Sequence, residues 1–145
     1  MATITSVDVN AEMLIKQLTI LRDVVNSKEV IAAERKAAKM LMDQGYNKLV
    51  VTLKGNSDNL VNSFTYTLRN GKQSMSGIRV GFKRPGGNTA HLVDRGTVER
   101  YTKSGAYRGK IVGSRFWTDT TDMYAPQAMD DMLDAVEHAI KKITG

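Results

Sequence analysis

His91 and Asp94 stand three residues apart in Ala90-His91-Leu92-Val93-Asp94, and a histidine oriented by a carboxylate is the seed of general acid–base catalysis. Catalysis would also need a nucleophile, a second acid or a metal, and none lies near the pair in the chain. Arg95 follows directly and can neutralise Asp94. The pair therefore reads as a structural histidine at an element edge, and the chain is expected not to be an enzyme. Residues 81–89, Gly-Phe-Lys-Arg-Pro-Gly-Gly-Asn-Thr, have the look of a loop that cradles phosphate. They lack the G-x-x-x-x-G-K-[ST] spacing and precede no convincing helix pattern, so a turn is expected. The acids Asp119, Asp122, Asp130, Asp131 and Asp134 have no EF-hand spacing and read as a solvated helix face with acids near a helix N-terminus. With no cysteine and only His91 and His138, disulfides, a thiol nucleophile, a thiolate zinc site and a His-rich metal site are excluded. No cofactor and no metal is expected.

The remaining chemistry is charge. The chain carries +6 at neutral pH, unevenly spread. Residues 1–60 hold 8 Lys+Arg against 7 Asp+Glu, residues 61–117 hold 11 against 2, and residues 118–145 hold 2 against 6. The basic set is Arg69, Lys72, Arg79, Lys83, Arg84, Arg95, Arg100, Lys103, Arg108, Lys110 and Arg115, interleaved with Phe82, Tyr101 and Tyr107, which could stack on bases. No helix-turn-helix, RNP-like or zinc signature accompanies them, so sequence-specific reading of nucleic acid is not expected. Two uses stay open: non-specific phosphate contact, and association between copies of the chain, basic middle to acidic end.

These residues must be positioned by one domain, since 145 residues suffice for a single core. A helical part is expected over residues 10–54. Asp8 or Asn10 can cap a first helix with Met13, Leu14, Leu18, Leu21 and Val25 at helical spacing. Ser27 can cap a second, long amphipathic helix from Val30 to about Leu53, bent or frayed near Gly45 and covering the domain's own sheet. A sheet part is expected over residues 60–117. A strand begins at Leu60, Asn70-Gly71 turns it into a second strand with Ile78, Val80 and Phe82 on one face, and Tyr101–Gly109 is a long flexible loop. Lys110–Trp117 closes the sheet part as another strand. In residues 90–97, Ala90, Leu92 and Val93 are expected to bury while His91 and Asp94 project, and Gly96 before Thr97 suggests a tight turn or bulge. The last helix, residues 125–143, places Pro126 at its first position and Met129, Met132, Leu133, Val136, Ile140 and Ile143 along one face. Helices segregated from a mostly antiparallel sheet define an α+β fold. No apolar run approaches the roughly 18 residues of a membrane span, and no membrane partner is expected.

Particular segments carry a resemblance. Leu60-Val61-Asn62-Ser63-Phe64 is similar to a short strand-opening segment, and Ile78-Arg79-Val80-Gly81-Phe82 to a V-x-V-G-F strand. Ala90-His91-Leu92-Val93-Asp94-Arg95-Gly96-Thr97 is similar to a Y-A-x-x-[VL]-E-x-G-T signature. Arg115-Phe116-Trp117-Thr118 stands where the same family has an aromatic P-F-[LM] segment before its C-terminal helix. In the order and spacing of these segments, across nearly its whole length, the chain resembles the tail-completion or minor tail (head–tail joining) component family of long-tailed bacteriophages and prophages. Asp94-Arg95 replaces that family's Glu plus aromatic, and Ser114-Arg115 replaces its Arg-Pro. The resemblance implies a non-enzymatic virion protein of the tail or neck, assembled in the host bacterial cytoplasm. It implies a homo-oligomeric ring of six subunits, with the tail-tube or terminator protein and a neck or connector protein as partners. DNA passes through such a channel, so Lys83, Arg84, Arg95, Arg100, Lys103, Arg108 and Lys110 are expected at a subunit interface or against DNA, with Asp130, Asp131 and Asp134 as the acidic counterpart. A free-standing basic nucleic-acid-binding domain is the alternative.

Overall fold

The computed structural model describes residues 11–54, 58–67 and 77–145. The expected cap at Asp8 or Asn10 and the Asn70-Gly71 turn with Arg69 and Lys72 lie outside the described residues. Within them the chain runs α1 (Ala11–Val25), α2 (Lys28–Leu53), α3 (Asp58–Ser63), β1 (Phe64–Thr67), β2 (Arg79–Phe82), a 3-10 turn (Gly86–Thr89), α4 (Ala90–Arg95), β3 (Arg100–Tyr101), β4 (Tyr107–Gly109) and α5 (Phe116–Thr144). The fold is α+β, with helices dominant and two separate two-stranded antiparallel sheets.

Ser27 caps α2: its backbone is extended and its hydroxyl accepts the Val30 amide at 3.3 Å. The helix then pairs with α5 in antiparallel fashion. Lys142 meets Glu29 at 2.5 Å near one end, and Lys36 meets Asp131 at 3.2 Å further along. Ala37 and Ala38 on α2 and Ala128 and Ala139 on α5 are buried, small side chains that let the two axes approach. α2 therefore covers α5 first and the sheet only secondarily. Gly45 lies inside an unbroken helix, contrary to the expected bend or fraying. A Cβ there would stand 3.0 Å from the rings of Phe64 and Trp117, so the missing side chain makes room for two aromatics. Glycine in a helix interior costs about 1 kcal/mol, which that packing offsets.

The main core gathers Leu49, Leu60, Phe64, Ala90 and Phe116, with Met42, Leu53, Val61, Val80, Phe82, Val93 and Trp117 packed around them. Its aromatics interlock: Phe64 stacks on Phe82 at 4.7 Å between centroids and meets Trp117 edge-on at 5.5 Å, and Phe82 meets Phe116 edge-on at 6.0 Å. A smaller second core, Val24, Val30 and Ala139 with Ile20 and Val136, ties the end of α1 to the α2–α5 pair.

Three expected boundaries move. The strand expected from Leu60 starts at Phe64, because Leu60–Ser63 close α3; Leu60 and Phe64, four apart, bury into the same core. Phe64 lies opposite Phe82, and Thr67 opposite Arg79. The strand expected over Lys110–Trp117 is a connection with one bridge, Val112 to Gly96, before α5 opens at Phe116. The last helix thus begins ten residues before Pro126, which sits in its interior. Threonine-rich residues 117–121 have weak helix propensity, but Thr120 donates to the Phe116 carbonyl at 2.6 Å and Thr121 to the Trp117 carbonyl at 3.1 Å, and an external cap holds the first turn. Pro126 forgoes one backbone hydrogen bond without ending the helix.

Candidate functional site

Residues 90–97 form α4 and its exit, and among their charged and ring side chains Asp94 turns inward while His91 and Arg95 stay at the surface. Ala90 buries and His91 is exposed, as expected, while Leu92 and Val93, expected to bury, are half-buried. Asp94 does the opposite of the expectation and is 6% exposed. One of its carboxylate oxygens accepts the Trp117 amide at 2.8 Å and the Thr118 amide at 3.1 Å, and the other accepts the Thr118 hydroxyl at 2.6 Å. Asp94 is thus the cap of α5 supplied from another element, placing a negative charge where the helix dipole favours one. Burial pushes its carboxyl up. The hydrogen bonds from Thr118 and Trp117, with Arg95 nearby, outweigh that and hold it below the usual carboxylate range. Both carboxylate oxygens are occupied by helix donors, so Asp94 is not positioned as the orienting partner of a catalytic His91.

The exit of α4 is locked by close backbone contact. Gly96 has φ +81° and ψ −174°, a conformation essentially reserved for glycine, and an added Cβ would stand 2.6 Å from the Gly113 amide nitrogen. The Thr97 amide donates to the Ile111 carbonyl at 2.8 Å, and the Thr97 hydroxyl accepts the Ile111 amide at 3.0 Å. The Ser114 amide donates to the Val93 carbonyl at 2.9 Å, and the Arg115 amide to the Asp94 carbonyl at 2.8 Å. Residues 111–115 are therefore fastened along the end of α4, which delivers Phe116 and Trp117 into the main core. Val80, Phe82, Phe116 and Trp117 of the resembling segments pack there too, while Gly81 passes through β2 with space around it. The resembling segments converge into one structural lock.

Of the basic residues, Arg100, Lys103, Arg108 and Lys110 gather on the hairpin of β3 and β4. This hairpin replaces the expected long loop. Thr102 closes it, its amide donating to the Ala106 carbonyl at 2.8 Å and its hydroxyl accepting the Ala106 amide at 2.9 Å. All four basic side chains are exposed, as are Tyr101 and Tyr107, whose rings lie 5.5 Å apart. Phe82 is in the core and offers no face to a base. Lys83 and Arg84 are exposed in the turn after β2, lining an open polar cleft of about 620 Å³ with Asn59, Asn62 and Thr89. That turn leads through the 3-10 turn into α4, a helix the sequence pattern did not announce. Arg95 is exposed at the end of α4 beside His91 and Trp117.

The acidic counterpart is smaller than composition suggests. Asp119 and Asp122 answer Arg115, at 3.1 and 3.8 Å, and Asp131 answers Lys36. Asp130 and Asp134 remain exposed on α5. No group of three or more metal-binding side chains occurs among the described residues, and no helix there is long and apolar enough to cross a membrane. Sequence reasoning missed Thr118 and Gly113 as partners of the signature. A threonine two residues into a helix, after a Gly-Ser pair, was the available signal for Thr118; nothing local marked Gly113. No protein-family model, curated protein or solved structure matches the chain.

Proposed function

We propose that the chain is a structural virion protein of a tailed phage or prophage, a tail-completion or neck component that closes into a ring at the head–tail junction. The observation that carries this reading is the exposed hairpin: Arg100, Lys103, Arg108 and Lys110 stand with Tyr101 and Tyr107 on a short strand pair held clear of the core. Such an arrangement suits contact with another macromolecule rather than turnover of a small one. In a ring the contact is heterologous, with the basic hairpin, Lys83, Arg84 and Arg95 of one subunit toward Asp130 and Asp134 of the next. Basic side chains not engaged there face the channel and meet DNA phosphate without reading bases. The partners are the tail-tube or terminator protein and the neck or connector protein, and the site of action is the virion.

The test is sedimentation velocity of the full chain over a concentration series in about 0.05 M and about 0.5 M NaCl, with electron microscopy of the largest species. Closed rings that loosen at high salt are expected. A monomer at every concentration, with tail-tube protein added as well, refutes the reading. The exposed tyrosines favour one other reading, a free-standing basic nucleic-acid-binding domain that stacks on bases. It requires submicromolar binding of nucleic acid by the monomer with a steep salt slope in a gel-shift assay.

A further inference from the structure

We propose that the cleft between α3 and the turn after β2 is a binding site for a phosphate monoester. Asn59, Asn62, Lys83, Arg84 and Thr89 line it with polar side chains, and none of the described residues around it is acidic. All five are exposed, and none commits its side chain to a hydrogen bond or ion pair within the described residues. Thr89 stands at the start of α4 without capping it, so its hydroxyl is open too. The frame of the cleft is fixed by backbone contact instead. The Lys83 amide donates to the Ser63 carbonyl at 2.8 Å, the Gly87 amide to the Lys83 carbonyl at 2.8 Å and the Asn88 amide to the Pro85 carbonyl at 3.2 Å. Gly86 lies so close to α3 that a Cβ there would collide with the Asn59 carbonyl oxygen. Binding on such a frame costs only the ordering of the side chains, not of the backbone that carries them.

The donor set selects the ligand. Arg84 offers a planar fork and Lys83 a compact charge, the two forms in which side chains hold phosphate. The amides of Asn59 and Asn62 and the Thr89 hydroxyl add neutral donors. A phosphate monoester brings nearly two negative charges and three acceptor oxygens, which match two cations and the neutral donors around them; a carboxylate brings one charge and two oxygens. The cleft, of about 620 Å³, has the size of sites that hold a whole small molecule, so it takes the phosphate together with the group it esterifies. The side-chain carbonyls of Asn59 and Asn62 give that group acceptors as well. A free nucleotide and a phosphorylated end of a nucleic acid share this chemistry. Residues 83–89 remain a turn, as expected, and the donors are side chains of two elements rather than amides of a glycine-rich loop or of the short α4. The cleft is independent of ring closure. In a ring, Asp130 and Asp134 cannot answer the four hairpin cations and Arg95 as well as this cleft, which leaves Lys83 and Arg84 open to phosphate.

The test is an NMR titration of the isotope-labelled full chain at fixed ionic strength, read at the side-chain amides of Asn59 and Asn62 and at the Arg84 Nε. The probes are inorganic phosphate, adenosine monophosphate, acetate, and a short DNA duplex with and without terminal phosphates. Saturation by inorganic phosphate with a Kd of about 1 mM or tighter is expected, weakening as pH falls through about 6, where phosphate loses its second charge. Adenosine monophosphate is expected to bind more tightly than bare phosphate. Tighter binding still by the end-phosphorylated duplex assigns the site to a nucleic-acid end, the reverse order to a free nucleotide, and either supports it. Arg84→Gln is expected to weaken phosphate about tenfold and Asn62→Ala about threefold, with Arg108→Gln on the hairpin without effect and the far-UV circular dichroism unchanged throughout. Absence of saturation overturns the proposal. Acetate binding as tightly as phosphate overturns it in favour of a carboxylate from a protein partner, and equal binding of the two duplexes in favour of backbone diesters. Equal weakening by Arg108→Gln overturns it in favour of diffuse charge. Sedimentation in the same buffers separates this outcome from the ring: a monomer that binds phosphate refutes the ring and keeps the cleft, and a ring that ignores phosphate does the reverse.

Discussion

Asp94→Ala isolates the contact that joins α4 to α5. The substitution removes three hydrogen bonds at 2.8, 3.1 and 2.6 Å to a buried carboxylate. Simple addition of charge-assisted bonds overstates the loss, because the three share one acceptor group. A strong cap is worth up to about 2 kcal/mol, and leaving the Thr118 hydroxyl without its acceptor adds about 1, for roughly 3 kcal/mol in all. With a urea slope of about 2 kcal/mol/M for a chain this size, the midpoint falls by about 1.5 M, and Tm falls by roughly 9 °C. Asp94→Asn keeps one acceptor oxygen but not the charge and is expected to lose about 1 kcal/mol. His91→Gln, on an exposed side chain of the same helix, is expected to stay within about 0.5 kcal/mol of wild type. Urea melts of the three variants, followed by circular dichroism, decide the matter. A loss below about 0.5 kcal/mol for Asp94→Ala would refute the cap as a determinant of stability.

The other predictions follow from the same physics. Because the folded carboxyl of Asp94 is held below its ordinary value of 3.8, its contribution is present above that pH and fades as pH falls through the lower folded value; melts from pH 6 downward are expected to steepen there for wild type but not for Asp94→Asn. Gly96→Ala forces a Cβ to 2.6 Å from the Gly113 nitrogen at φ +81° and is expected to cost about 3 kcal/mol or more, seen as a collapsed urea midpoint. Lys54 ends α2 in the left-handed region at φ 48°, so Lys54→Gly is expected to raise stability by about 0.5 to 1 kcal/mol; a fall would show that the lysine side chain makes a compensating contact. Phe116→Ala, at 2% exposure between Phe82 and the main core, is expected to cost about 3 to 5 kcal/mol, enough to leave a marginal fold partly unfolded at 37 °C by differential scanning calorimetry.

Several features could be read directly from residues because local physics dominates them. Ser27 capped its helix as its type and position require, and α2 followed its amphipathic composition. Gly96 before Thr97 signalled a backbone that needs glycine, and the structure places it at positive φ in close contact with Gly113. The alternating types from Leu60 read as a strand, but Leu60 and Phe64, four apart, bury into one core, and the structure makes a helix up to Ser63 and a strand over Phe64–Thr67. Pro126 suggested a helix start by the usual rule, but the cap that starts α5 ten residues earlier comes from a residue 23 positions upstream of Trp117. No local pattern carries that information.

The sequence by itself determined the fold class, the existence of the three long helices and the location of basic charge in the middle of the chain, because propensity, capping and periodicity act within a few residues. Only the tertiary structure decided which surfaces those parts meet. It turned Asp94 from a candidate partner of His91 into the cap of a distant helix, and it put Phe82 in the core rather than against a base. It raised Arg100, Lys103, Arg108 and Lys110 on a hairpin, and it left Leu14, Leu18 and Leu21 of α1 and Met129 and Leu133 of α5 exposed. Each outcome depends on which surfaces meet across the chain, and an apolar or charged side chain looks the same in sequence whether its partner is its own core, a neighbouring copy or solvent.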